Sequence, residues 1–296
     1  MAAPAILSRS LALVGPGRAG RALARSWTRA GGKIASVGLR DASRSLPEEL
    51  SGAAKFDVNG QALPPADLLV LAVPDDAIGG VADALAGRLS CRFVFHLSGA
   101  LPSAVLASFG PHGASLASLH PLRPFTGGRE EDWSGAFVAV EGEEEAAGVG
   151  GELARAVGAD PHRLAASAKP LYHAAASLAA GGVAAVVSVA ARGWAAAGIP
   201  EDVARQALGG LAASAAAAAA EQPFAAAFTG AVARRDVGTV RSHAAALVGH
   251  RDALELYRTL AEEILSRTEG RGKEEEIRRV LRGGESRGAP PRPGTT

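Results

Sequence analysis

The chain has 296 residues, 31 basic and 30 acidic side chains, a formal net charge of +1 and 48% hydrophobic residues. At roughly 100–200 residues per domain this length fits two domains, each with its own core, and the balanced charge speaks against a nucleic-acid partner. The lone cysteine, Cys91, excludes an internal disulfide and a thiolate metal site. Set in an apolar run that reads as a strand, it is expected to be a buried, inert thiol, and the chain is expected in the cytoplasm. The apolar start is short, interrupted by Arg9 and followed by a glycine loop, so no signal peptide is expected. Later alanine-rich stretches are broken by Gly, Arg or Pro before the roughly 20 residues of a membrane span, so no membrane segment is expected either.

Residues 11–14 form a short apolar strand ending in glycine, and 18–29 carry Ala19, Ala22, Leu23 and Trp27 at helical spacing. A second strand is read at 34–39. The run 67–73, stopped by Pro74, has the continuous apolarity of a strand buried on both faces of a parallel sheet. A helix over 78–89, strands over 92–97 and 136–140, and a helix over 143–157 follow, with Asp75 and Asp76 at the start of a helix. Strands alternating with helices imply right-handed crossovers and a doubly wound, mostly parallel α/β sheet. After about residue 168 the pattern becomes helical: 171–197, a stop and restart at Gly198-Ile199-Pro200, then 201–221 with six consecutive alanines, 235–247 and 252–265. The organisation read from this is a dinucleotide-binding domain over 5–167, an all-α substrate and dimerisation domain over 168–268, and a disordered tail over 269–296, rich in charge, Gly and Pro. So much apolar helical surface predicts a homodimer formed mainly through residues after about 168.

Gly15-Pro16-Gly17-Arg18-Ala19-Gly20 lies between the first strand and the first helix. Glycine triplets also mark ordinary turns, but this context is that of a pyrophosphate loop. Gly15 permits the turn, Gly17 lets the backbone approach the phosphates, and Gly20 lets helix and strand pack closely. The helix N-terminus offers unpaired N–H groups and partial positive charge. At the end of the second strand, where an acidic residue would select NAD, stand Arg40, Asp41, Ser43 and Arg44. Arg40, Ser43 and Arg44 suit a 2′-phosphate; Asp41 points the other way. NADP is the expected cofactor, with NAD possible.

Other residues stand where chemistry is expected. Val73 and Pro74 end a strand, and Ser98 and Gly99 follow His96 at the end of another, where a strand opens into the cofactor crevice. Ser98 and the backbone there are read as contacts to the nicotinamide ribose or carboxamide. His120, before Pro121, is read as a substrate or nicotinamide contact, against a plain structural turn. Lys169 and His173, spaced i, i+4, share one helix face. Thr229, Gly230, Arg234 and Asp236 lie in a loop entering a helix, where Arg234 would clamp a carboxylate and Asp236 would orient it or cap the helix. His112, His162, His243 and His250 show no metal-ligand spacing, and no metal is expected.

These motifs, together with Val73-Pro74-Asp75-Asp76-Ala77-Ile78, His96-Leu97-Ser98-Gly99-Ala100, His120-Pro121-Leu122-Arg123-Pro124-Phe125, Lys169-Pro170-Leu171-Tyr172-His173-Ala174-Ala175 and Thr229-Gly230-Ala231-Val232-Ala233-Arg234-Arg235-Asp236, occur in order. The chain up to about Arg267 resembles the Rossmann-like oxidoreductases whose C-terminal half is a domain of unknown function. These are distant relatives of pyrroline-5-carboxylate reductase, ketopantoate reductase and the 6-phosphogluconate and β-hydroxyacid dehydrogenases. The resemblance implies that Lys169 is the general acid, with His173 beside it, and that the reaction is NADP-dependent reduction of a small carboxylate-bearing carbonyl such as a ketopantoate-like 2-oxo acid. Alternatives are reduction of a cyclic imine or a dinucleotide-binding sensor without turnover. Two departures motivate the last: Ala180-Gly181 where the family has Ser-Asn, and Ala231 and Arg235 where it has Pro and Gly.

Overall fold

In the computed structural model, which describes residues 4–60, 64–88, 90–128, 131–268 and 272–283, side chains alternate between the two faces of one eight-stranded sheet. The strands are β1 (Leu11–Val14), β2 (Ile34–Leu39), β3 (Ala54–Asp57), β4 (Leu68–Leu71), β5 (Phe93–His96), β6 (Ser115–Pro121), β7 (Phe137–Gly142) and β8 (Asp160–Arg163). Their order is β3-β2-β1-β4-β5-β6-β7-β8, parallel throughout except where β6 meets β7. Leu11, Leu13, Leu68, Val70, Phe93, Phe95 and Leu119 face one layer with α1 (Arg18–Arg29) and α3 (Glu144–Ala156), which insert Leu23, Trp27 and Leu153. Their neighbours Ala12, Val14, Leu69, Leu71 and Val94 face the other layer, packed on Ile78, Ala82 and Leu85 of α2 (Asp75–Leu85) and on Leu106 and Phe109. Burial on both faces explains why these strands read as unbroken apolar runs.

Two strands escape the sequence reading. β3 and β8 are the sheet's edges; β3 buries only Phe56, and β8 (Asp-Pro-His-Arg) buries no side chain. A strand ending at His120 before Pro121 is expected, and β6 is that strand; it interleaves Ser115, Ser118 and His120 with its apolar residues. Helix α2 begins at Asp75 as expected but ends before Gly87, whose positive φ of 74° breaks it; Leu89, in the expected helix, lies outside the described residues. Cys91 is buried, and burial pushes its thiol up to about 12.

Two compact units divide the chain, Met1–Ser177 and Leu178–Thr296. The first therefore extends past the expected boundary at 167 and includes α4 (Lys169–Ser177), because Lys169 is buried there with hydrogen bonds to the strand ends of β5 and β6. The second unit opens with a π-helical turn, Leu178–Gly182, and contains α5 (Val183–Ala196), α6 (Glu201–Glu221), the short α7 (Phe224–Ala227) and α8 (Gly230–Ala233), α9 (Val237–Leu247), α10 (Arg251–Arg267) and α11 (Glu274–Arg282). Its core joins Ala231, Val232, Val240, Ala244, Leu254, Ala261 and Leu265 to Ile277 and Leu281. Helix α11 thus occupies part of the expected tail, because its Ile277 and Leu281 recur at helical spacing and pack inside; residues 269–271 and 284–296 lie outside the described residues.

The apolar stretches are also less broken than expected. Helical structure over Ala166–Ala196, with a mean hydropathy of 1.9 in its most apolar window, is long and apolar enough to cross a membrane by length and composition. It continues through Pro170, which sits in the first turn of α4 where its missing N–H costs nothing, and through Gly181 and Gly182 in the π-turn.

Two glycines of the first helix turn differ in what they tolerate. A Cβ at Gly20 would lie 2.4 Å from the Gly15 carbonyl oxygen, whereas one at Gly17 would meet nothing within 4 Å. Gly20→Ala should therefore cost roughly 1–3 kcal/mol through overpacking, while Gly17→Ala should leave Tm unchanged. Equal melting temperatures for the two variants would refute this packing assignment.

Candidate functional site

Helix α1 starts at Gly17, a cap without a side chain, so no side-chain oxygen covers its first N–H groups. Gly15, at φ 90°, bends the chain out of β1 against the Ala72 carbonyl. Beside this turn is a cleft of about 500 Å³ lined by Val14, Gly15, Pro16, Gly17, Gly38, Leu39, Arg40, Arg44, Ser45, Pro47, Val58, Ala72, Val73, Pro74 and Val81. Of the residues expected to hold a dinucleotide, Gly15, Pro16, Gly17, Arg40, Arg44, Val73 and Pro74 line it. Arg18, Ala19 and Gly20 belong to the first turn of α1 behind it. Ser43 does not line it: its N–H and hydroxyl both bind Asp41 Oδ1, at 2.9 and 2.5 Å. These bonds first, then the charges of Arg44 and Lys55, hold the Asp41 carboxyl below its ordinary range. The sequence reading missed Ser45, Pro47 and Val58, which carry no motif of their own.

The strand ends of β5 and β6 form a second cluster. Ser98 is buried, with its hydroxyl donating to Asp75 Oδ2 at 2.8 Å and accepting from the N–H groups of Ala100 and Leu101. Its hydrogen bonds hold the turn after β5 against α2, an arrangement different from the expected ribose contact. His96 is fully buried; its Nδ1 accepts from the Ser98 N–H, so Nε2 carries the proton and donates to the Pro102 carbonyl at 3.2 Å. Burial foremost, then the Lys169 charge, pushes its pKa down to about 4.

Lys169 is also fully buried. Its Nζ donates to the Ser118 hydroxyl at 2.7 Å and the Ser98 carbonyl at 3.2 Å. Ser118 in turn donates to Glu141 Oε2, and Glu141, also buried, accepts from the N–H and hydroxyl of Ser103. Burial lowers the lysine's pKa from its ordinary value, opposed by the Glu141 and Asp75 carboxylates.

The half-buried rings of His120, Tyr172 and His173 stand over the same turn. His120 Nδ1 is 2.8 Å from the Tyr172 hydroxyl, and the two rings meet edge to face. His120 and His173 also meet edge to face, with centroids 5.8 Å apart. A Cβ at Gly99 would lie 2.6 Å from His173 Nδ1 and 2.8 Å from His120 Nε2, so only glycine fits beneath them. His173 Nδ1 is buried without a hydrogen-bond partner. Burial first, then the charges of His173 and Lys169, push His120 down to about 4. The structure therefore brings Gly99, His120, Lys169 and His173 together and adds Tyr172, Ser118 and Glu141. Tyr172 was legible only as a neighbour of His173.

In the second unit, Thr229 and Arg234 are exposed on either side of α8. Asp236 caps α9, accepting from the Thr239 N–H and hydroxyl. Arg235 has a positive φ of 56°, and its buried guanidinium binds Thr268, Glu274 and the Val232 carbonyl. The family glycine at this position is thus explained by backbone conformation. Ala180 and Gly181 fall in the π-helical turn.

His96 makes the fold acid-sensitive. It stays neutral in the native state down to about pH 4, whereas an unfolded histidine takes its proton near 6.5. The unfolded state then binds more protons between these limits, so stability falls as pH drops, by up to about 1.4 kcal/mol per unit. Urea unfolding of wild type and His96→Gln at pH 7 and pH 5 should show a loss about 2 kcal/mol smaller in the variant; parallel losses would refute the assignment.

Residues 4–121 match the model of a Rossmann-like domain, and residues 136–264 that of a domain of unknown function, DUF2520. A comparison with curated proteins returned no match. Among solved structures, a protein from Bacteroides fragilis provisionally named an NADP oxidoreductase is 21% identical, covers 89% of this chain and 100% of its own, and superposes with a TM-score of 0.69. Protein TM1727 from Thermotoga maritima is 22% identical over 93% of this chain and 97% of its own, with a TM-score of 0.64. A pyrroline carboxylate reductase from Plasmodium falciparum, solved with NADP bound, is 10% identical over 93% of this chain and 98% of its own, with a TM-score of 0.57. These likenesses establish the fold, and the two matched domains together span most of the sequence. The chain thus joins a Rossmann-like domain to the domain of unknown function DUF2520.

Proposed function

We propose that the protein is an NADP-dependent oxidoreductase that reduces a small carboxylate-bearing carbonyl compound, a 2-oxo acid of the ketopantoate type. The observation that carries this reading is the cleft at the uncapped start of α1, with Arg40 and Arg44 in its wall. The pyrophosphate fits the bare N–H groups and helix dipole there, and a 2′-phosphate fits the two guanidinium forks. Asp41, the residue that would favour NAD, is engaged by Ser43. The NADP-bound reductase of Plasmodium falciparum with the same fold adds support. When bound, the reduced nicotinamide supplies a hydride.

Of this chain's own groups, Gly15, Pro16 and Gly17 would hold the pyrophosphate, and Val73 and Pro74 would line the path towards the nicotinamide. Exposed Arg234, with Thr229, is the group offered to a substrate carboxylate. Cyclic imines are the second substrate class, because they need the same hydride and proton. The sensor reading loses one of its motives, since Arg235 is accounted for by backbone geometry.

Gly17→Asp should abolish NADPH binding by calorimetry without lowering Tm, because the site for its side chain is open in the protein and filled by phosphate in the complex. Arg40→Glu should weaken NADPH far more than NADH; equal losses would remove Arg40 from the 2′-phosphate site. Following NADPH absorbance against a panel of 2-oxo acids and cyclic imines tests the activity. Binding without consumption of any panel member would favour the sensor.

We also propose a homodimer formed by the second unit. Helices α5 and α6 bury only Ala191 and Ala204 within the chain, and Leu178 and Leu211 are 75% and 66% exposed. Between the helices runs a groove of about 810 Å³ lined largely by alanine and valine. Apolar surface of this extent marks an interface. Light scattering at micromolar concentration should give twice the chain mass; a monomer mass would exclude the dimer.

A further inference from the structure

We propose that Tyr172, hydrogen-bonded to His120, is the catalytic proton donor of the reductase reaction, and that Lys169 is a positioning residue. The proposal rests on the reductase reading above. Lys169 has no exposed surface, and its ammonium is engaged by Ser118 and the Ser98 carbonyl. To reach a substrate it would have to leave two hydrogen bonds and separate from Glu141, exposing an unpaired carboxylate in the interior. Tyr172 and His120 are partly exposed at the C-terminal end of β6, on the sheet edge where open α/β sheets bind their ligands. Gly99 brings its backbone directly beneath the two imidazoles, leaving no side chain between them and the turn after β5.

The chemistry suits this pair. Burial raises the Tyr172 phenol above its ordinary value, so it keeps its proton throughout the neutral range. Burial foremost keeps His120 neutral there. An alkoxide formed by hydride addition is a stronger base than a phenolate, so proton transfer from Tyr172 runs downhill. On hydride addition from NADPH the C=O π bond opens, a C–H bond forms at carbon, and the oxygen takes the Tyr172 O–H proton. This assigns His120 the tautomer in which Nδ1–H donates to the phenol oxygen; water then protonates Nε2, and the Nδ1 proton crosses the 2.8 Å to the phenolate. The sum is carbonyl, NADPH and one proton giving alcohol and NADP; with an imine, nitrogen takes the proton in place of oxygen. Lys169 fixes α4 and the Ser98–Gly99 turn, and so fixes where Tyr172 stands.

The chain has two tyrosines, Tyr172 and Tyr257, so Tyr257→Phe leaves Tyr172 as the sole phenol. Tyr172→Phe should lower kcat about 10²–10⁴-fold, the usual worth of a positioned acid, with NADPH affinity and Tm unchanged. Fluorotyrosine incorporated into the Tyr257→Phe protein lowers the phenol's pKa and should move the alkaline limb of the pH–rate profile downward. In the ligand-free Tyr257→Phe protein, raising the pH through the phenol's ionisation should shift the His120 Nδ1 nitrogen resonance. Wild-type turnover with Tyr172→Phe at full rate would overturn the proposal alone, as would an alkaline limb or an Nδ1 resonance indifferent to the phenol. Wild type that binds NADPH but turns over no carbonyl or imine would overturn the reductase reading, and the proposal with it.

Discussion

A buried ammonium constrains the first unit more than any other group. Removing a charge from water is costly unless it is paired and hydrogen-bonded. Lys169 meets that condition through the Ser118 hydroxyl, the Ser98 carbonyl and, one serine further on, the Glu141 carboxylate. These partners come from β6, the turn after β5, and β7, so one side chain fixes α4 to three neighbouring strand ends. Glu141 also receives both donors of Ser103 at the start of the next helical segment. Cutting any link leaves a buried charge or carboxylate short of a partner. The i, i+4 partner His173 then falls beside Gly99, and Tyr172 falls against His120.

The same strand ends separate two kinds of polar chemistry. At β1 and β4 the wall of the cleft is largely backbone: the glycine turn, the start of a helix and the close-packed Ala72 carbonyl. At β5 and β6 it is side chain, and burial determines which groups carry charge. His96 and His120 are both held neutral, while the nearby cation is stabilised by carboxylates that raise its pKa back against desolvation. A cation beside two neutral imidazoles is consistent electrostatically, because the Lys169 charge itself opposes their protonation.

Much of this was legible in the sequence, for a physical reason. Strands β1, β2 and β4 and helices α1 and α6 are marked by burial on two faces or by helical periodicity, and helix bounds such as 18–29 and 201–221 follow from glycine and proline stops. Edge strands β3 and β8 need no apolar pattern, since solvent covers much of their surface, and they left no signal. That Gly15, Pro16, Gly17 and Arg40 would share a cleft was legible because their placement depends on a turn after one strand and on position at the end of the next. Ser43 misled because a serine after an aspartate also closes a local turn, and only geometry shows which it does. Lys169 was singled out by the family resemblance and by its i, i+4 spacing from His173, yet neither can tell a buried ammonium from an exposed one. Tyr172 was hidden because its partner, His120, is 52 residues away in sequence.

Arg235, where the resembled pattern has glycine, is accommodated by the fold through its own side chain. A left-handed backbone costs a non-glycine residue roughly 1–3 kcal/mol, which is why glycine is the family's choice there. In this chain the substituted side chain turns inward. Its guanidinium binds the Thr268 hydroxyl at 2.6 Å and carbonyl at 2.9 Å, Glu274 at 3.0 Å, and the carbonyls of Val232 and Ala233. Several of these acceptors are helix-end carbonyls that would otherwise need water. Charge-assisted bonds of this kind offset strain of that size, and they tie the start of α9 to the end of α10 and to α11. The arginine is therefore a structural joint, and its bond to Glu274 adds to the packing of Ile277 and Leu281 in holding α11 where the sequence reads as a charged tail.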